Sequence, residues 1–201
     1  MGTMTRILAI DPGPEKSAWA HIDNGKIKDS ALETNEAVLV RVNYSIFHVL
    51  AIEQIRSYGM SVGQTVFDTV HWCGRFHQEA ITGMVSHPPR VMLLPRKEIV
   101  LHLCGNPRAK DGNVRQAIID RLGEPRIPKV VWKVKKNGRT ARKFDQCADA
   151  QYYALGREDC SVESCDEGTR PNPVYGLNSP PAADVWSAIA VGLTALDRLN
   201  T

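Results

Sequence analysis

Charge of one sign is nearly missing from this sequence as a whole: 25 Lys and Arg stand against 22 Asp and Glu, a formal balance of only +3. Overall charge is therefore a weak pointer to nucleic acid. Cysteine is scarce and unpaired, with five residues (Cys73, Cys104, Cys147, Cys160, Cys165) at irregular spacing. An odd, irregular set does not make a disulfide framework and, with no apolar signal segment before the first strand, it fits a reducing cytoplasm. The trio Cys147, Cys160 and Cys165 lacks paired CxxC spacing and a nearby histidine, which argues against structural zinc. No apolar run approaches the roughly 20 residues that a membrane-spanning helix needs, so no membrane partner is expected. A Ser-His-Asp arrangement is not legible either. At 201 residues and 43% hydrophobic, the chain can bury one sizeable core but not two ordinary domains with a linker. The expectation is one domain spanning 1–201 with an insertion at about 124–178.

What is present is patterned. Arg126, Lys129, Lys133, Lys135, Lys136, Arg139, Arg142 and Lys143 precede any acid before Asp145, a local basic stripe of the kind that neutralises phosphates. Within it, Val130 to Val134 and Thr140 to Phe144 flank Asn137-Gly138, a strong hairpin signal. Upstream, Arg6 to Ile10 reads as a buried strand stopped by Asp11-Pro12-Gly13, Ser17 to Ile22 as a second strand, and Lys26 to Leu32 as a third. Asn35 is placed to cap a brief helix through about Val42, and Ser45 to Ile52 reads as a fourth strand ending on Glu53. Met60 to Met84 carries Val62, Val66, Val70, Cys73, His77 or Ala80, and Met84 at helical spacing. Arg90 to Leu94 is a strand, Asp111 caps a helix over Asn113 to Leu122, and Ala182 to Leu199 is a closing helix rich in small residues. The order predicts a mixed α/β sheet with helices on its faces.

Asp11 and Glu53 each end an apolar run. If the two strands are parallel neighbours, both carboxylates emerge at the carboxyl edge, where open α/β sheets place their sites. Two such carboxylates repel, and a hard divalent cation such as Mg²⁺ or Mn²⁺ would resolve the conflict. The alternative is that Asp11 caps the Pro-Gly turn and Glu53 makes a surface ion pair.

Four blocks add context: Ile10 to Gly13 (IDPG), Ala51 to Gln54 (AIEQ), Ala109 to Ile118 (AKDGNVRQAI) and Asp184 to Leu193 (DVWSAIAVGL). In composition and order they resemble the RuvC-type Holliday junction resolvases of the RNase H-like superfamily, nearer the phage-borne branch. The resemblance implies an RNase H-like sheet of five strands flanked by helices, and a homodimeric endonuclease that cuts four-way DNA junctions. It implies two-metal hydrolysis with Mg²⁺, for which Mn²⁺ can substitute, at a centre of Asp11, Glu53 and Asp184. The work would be done in the cytoplasm, that of a bacterial host if the gene is phage-borne.

In the family a lysine near the third block contacts the substrate, and Lys110 is the nearest match here. An aromatic shortly after the second block enters the junction centre. Arg56 stands where it is expected, and Tyr58 lies two positions on. Ser187 occupies the place of the second acid of the last helix, which leaves Asp184 to carry that charge alone, with Asp111, Asp145 and Asp149 as reserve ligands. The hairpin residues Lys133, Lys135, Lys136 and Arg139 are expected to hold DNA arms through their phosphates. Two other functions share many of these features. One is an RNase H-like nuclease acting on forks, flaps or RNA-DNA hybrids, and the other is a non-catalytic DNA-binding dimer.

Overall fold

Arg6–Asp11 forms β1, whose residues Ile7, Leu8, Ala9 and Ile10 are all buried, so it is covered on both faces. The structure, a computed structural model, describes residues 5–57, 59, 61–83, 88–122, 130–134, 140–144 and 182–201, with the backbone alone at 130–134, 140–144, 182 and 183. After β1 come β2 (Lys16–Asp23), β3 (Lys26–Thr34), α1 (Asn35–Tyr44), β4 (Val49–Gln54) and α2 (Gln64–Thr82). Then follow β5 (Arg90–Pro95), α3 (Arg96–Cys104), α4 (Asp111–Leu122), β6 (Val130–Val134), β7 (Thr140–Phe144) and α5 (Ala182–Asn200). The protein divides into two compact units, Met1–Gly123 with Ser179–Thr201, and Glu124–Asn178. The second unit contains the antiparallel β6–β7 pair.

The first unit is built on a five-stranded sheet in the order β3-β2-β1-β4-β5, with β1–β2 and β2–β3 antiparallel and β1–β4 and β4–β5 parallel. Alternation along the strands decides which helix covers which residue. Leu8, Ile10, Leu50 and Ile52 face one way, packing with Trp19, with Val38 and Val42 of α1, and with Phe76 and Ala80 of α2. Each such aliphatic side chain contributes about 1.5–3 kcal/mol on burial. Ala9 faces the other way, under α5. A Cβ on Gly192 of that helix would lie 3.0 Å from the Ala9 Cβ and 2.5 Å from Ile22 Cδ1, so the absent side chain is what lets α5 lie this close to the sheet.

Several sequence expectations change in detail. Thr34, not Asn35, caps α1: its hydroxyl accepts from the Ala37 N–H at 3.4 Å. Asn35 is instead buried inside the fold and bonded to Ser17 and to the Gly13 carbonyl. The fourth strand begins at Val49 rather than Ser45. The α2 stripe holds in part: Ala80 is buried and Cys73 packs against the core as expected, but Thr69 and Phe76 are buried in place of Val70 and His77, and Val70 is 46% exposed. An unanticipated helix, α3, follows β5 directly. Asp111 lies in the first turn of α4 rather than before it. No helix among the described residues is long and apolar enough to cross a membrane.

Candidate active site at the carboxyl edge of the sheet

The parallel pairing of β1 with β4 aligns Ile10 with Ile52. The next residues, Asp11 and Glu53, therefore leave adjacent strands side by side, and alternation turns both toward the face covered by α5. The turn after Asp11 is clamped from within. Ser17 Oγ donates to Asn35 Oδ1 at 2.6 Å, Asn35 Nδ2 donates to the Gly13 carbonyl at 3.0 Å, and the Gly13 N–H donates to Ser17 Oγ at 3.2 Å. A Cβ on Gly13 would run into the Lys16 carbonyl oxygen, so this tight return requires glycine.

The electrostatics follow from the crowding. Burial, then the neighbouring Glu53 charge, holds the Asp11 carboxyl well above its ordinary range. Asp184 adds repulsion, while Arg96 and a hydrogen bond from Ser187 oppose it. Glu53, 7% exposed, is likewise raised by burial and lowered in part by Arg96. The guanidinium of Arg96 is the centre of this group. Nη1 lies 3.3 Å from Glu53 Oε2 and 3.1 Å from Ser187 Oγ, and Nη2 lies 2.5 Å from Asp111 Oδ1. Behind Glu53, the Cys73 thiol reaches its backbone carbonyl at 3.7 Å, and burial pushes that thiol up to about 11. Cys73 and Cys104 are free thiols.

The structure thus brings Asp11 and Glu53 together. Asp184 is exposed in the first turn of α5, near enough for its charge to act on Asp11. No group of three His, Cys, Asp or Glu among the described residues is gathered tightly enough to hold a metal ion. The Asp11–Glu53 pair does offer the hard oxygen donors that a divalent cation prefers. Lys110 is exposed at the start of α4, its carbonyl accepting from the Asn113 and Val114 N–H groups. Arg56 is exposed, donating to Gln54 Oε1 at 3.0 Å. Tyr58, Lys135, Lys136, Arg139, Asp145, Asp149 and the trio Cys147, Cys160 and Cys165 lie outside the described residues, as does the side chain of Lys133. Arg96 was missed in the sequence. Its position directly after β5, the third strand ending at this edge, is the signal that could have found it.

A comparison of folds adds the relationship. Over 98% of this chain and 98% of the other, the protein superposes on a Thermus thermophilus RuvC structure with a TM-score of 0.52 and 12% identity. It also superposes on T. thermophilus RuvC in complex with a Holliday junction substrate, with a TM-score of 0.54 and 14% identity over 98% and 97% of the two chains. The chain has a RuvC-like fold. No protein-family model matches it, and no curated protein sequence does. Within the RuvC-like fold, the mixed five-stranded sheet and its flanking helices agree with the RNase H-like architecture expected from the sequence.

Proposed function

We propose that the protein is a metal-dependent, structure-selective DNA endonuclease that cleaves four-way junctions. The observation that carries this reading is the pair of carboxylates, half-buried Asp11 and buried Glu53, that parallel pairing sets side by side at the carboxyl edge. Their mutual repulsion is what a divalent cation would relieve. Support for the substrate comes from the RuvC-like fold, one of whose solved representatives is bound to a Holliday junction substrate.

In this reading Asp11, Glu53 and Asp184 hold Mg²⁺ or Mn²⁺, with Asp184 turning in from its exposed position. The cation's contribution is to activate a water for attack and to stabilise charge on the leaving oxygen. The protein's part is to hold the two carboxylates side by side, with Arg96 and Ser187 offsetting some of the burial and repulsion that oppose their ionisation. Lys110 and Arg56 flank the site as cationic contacts for the DNA backbone. Tyr58 enters the junction centre, and the basic hairpin with Lys133, Lys135, Lys136 and Arg139 holds the arms. The chain is one nuclease domain with an insertion at about 124–178, acting in the cytoplasm as a homodimer.

A cleavage panel tests the proposal. A four-way junction, a fork, a flap and an RNA-DNA hybrid are offered side by side while Mg²⁺ and Mn²⁺ are titrated. Paired symmetric cuts in the junction at millimolar metal are expected. Preferential cutting of a fork, flap or hybrid would assign a different substrate to the same centre, and junction binding without cleavage in either metal would leave a DNA-binding protein.

A further inference from the structure

Arg96 has no place in the metal-binding set just proposed, yet it is the most connected side chain of the site. It is the first residue of α3, preceded by Pro95 at the cap, so its backbone is anchored while a long arm spans the cleft. That arm joins three elements: Glu53 on β4, Ser187 on α5 and Asp111 on α4. Exposure separates the partners. The Glu53 side chain is 9% exposed and has lost almost all its water, whereas that of Asp111 is 90% exposed and remains solvated. For Glu53 the guanidinium stands in for solvent as counter-charge, through one interaction at 3.3 Å that leaves further carboxylate lone pairs unused. A fork of five donors can release one partner while keeping another.

We propose that Arg96 is a positioning residue that acts as an exchangeable counter-cation. In the metal-free protein it holds the Asp11–Glu53 pair in place, and it yields Glu53 to an incoming divalent cation while Asp111 retains the other end of the guanidinium. The inference rests on the metal-centre reading above, and adds to it that an internal cation competes for the same carboxylate. Arg96 therefore suppresses metal affinity while supporting the fold that binds the metal.

Mn²⁺ binding to the full chain without DNA tests this, read by electron paramagnetic resonance at neutral pH, with metal-free thermal unfolding alongside. Arg96→Gln removes the competing charge and should bind Mn²⁺ roughly threefold to tenfold more tightly, because an uncompensated carboxylate pair attracts a dication more strongly. Its metal-free melting temperature should fall, and saturating Mn²⁺ should recover more of it than in the wild type. A purely structural arginine would lower the melting temperature equally with and without metal. Should Arg96→Gln fail to fold, Arg96→Lys carries the test. It keeps a charge but replaces the fork by a single ammonium that cannot bridge the same partners, so Mn²⁺ affinity should still rise, by a smaller factor. Unchanged or weaker Mn²⁺ binding in the variants overturns the inference while leaving the metal centre standing. If the wild type shows no saturable Mn²⁺ binding, or Asp11→Asn binds as well as wild type, the metal-centre reading itself falls and takes the inference with it.

Discussion

Asp11 and Glu53 resist ionisation in the folded protein, and the sign of the consequence can be worked out. A carboxyl whose folded pKa is raised contributes stability that is fully present below its unfolded value and is lost as pH rises through the folded value. At neutral pH without metal the pair is therefore a net strain on the fold. Asp11→Asn should raise the metal-free melting temperature, by roughly 2–4 °C for each kcal/mol of repulsion relieved. The same substitution should abolish cleavage. Calorimetry with chelator present checks the first point, and a midpoint that falls instead would mean that Asp11 is held mainly by attractive interactions. Asp184→Asn should also stop cleavage while junction binding persists, seen as a shifted band without product. Ser187→Ala should be milder, costing about 0.5–1.5 kcal/mol of stability for the hydrogen bond that Ser187 accepts from Arg96. Because Ser187 also lowers the Asp11 pKa, loss of its hydroxyl should move the acid limb of the cleavage profile to higher pH. An unmoved limb would separate Ser187 from the chemistry.

At the scale of elements, the site depends on how closely α5 lies on the sheet. Gly192 sits where a methyl group would meet Ala9 and Ile22, and the Ala9 Cβ belongs to a central strand that cannot swing aside. Gly192→Ala should therefore destabilise by about 1–3 kcal/mol, the usual cost of overpacking, despite the better helix propensity of alanine. Since Ser187 and Asp184 ride on the same helix, the variant should lose activity out of proportion to stability, measured by comparing denaturant unfolding with turnover at saturating metal. Loss of stability alone would show that α5 can lift without disturbing the edge. The far end of this helix is tied down independently. Asp197 accepts from Arg121 at 2.6 and 2.7 Å and pairs with His102, joining α5 to α4 and α3. Arg121 first, with His102 adding to it, holds the Asp197 carboxyl below its usual range.

For the whole molecule, two-fold symmetry is the issue. Paired cuts in a four-way junction need two sites related by a two-fold axis, which an isologous dimer supplies. On α2, Phe67 and Val70 are 58% and 46% exposed, and Val70 lines an apolar groove of about 200 Å³ with Cys73, His77 and Leu93 among others. Sedimentation at micromolar concentration should give a dimer, and Phe67→Glu with Val70→Glu should give a monomer; a monomeric wild type, with and without junction, would remove this arrangement. The hairpin makes a separate prediction. Replacing Lys133, Lys135, Lys136 and Arg139 with alanine should weaken binding to every sequence and flatten the salt dependence by roughly 0.9 in log–log slope for each phosphate no longer neutralised. An unchanged slope would mean that these side chains face only water.

The sequence alone determined the elements whose signals are short-range. Apolar runs ending on Asp11 and Glu53 marked the ends of β1 and β4 to within a residue, Val130 to Val134 and Thr140 to Phe144 marked β6 and β7, and a small-residue stretch marked α5, because each is decided by residues within one strand or a few helical turns. The pairing of β1 with β4 could be expected only conditionally, since register is a property of two strands and not of either. What tertiary structure decided is the company the carboxylates keep. Arg96 meets Glu53 across 43 residues and Ser187 across 91. Which face of α2 is buried was settled by the same packing. A side chain's charge is written in the chain, but the partner that neutralises it is chosen by the way α3, α4 and α5 pack against one another beside the sheet, and no local pattern specifies that meeting.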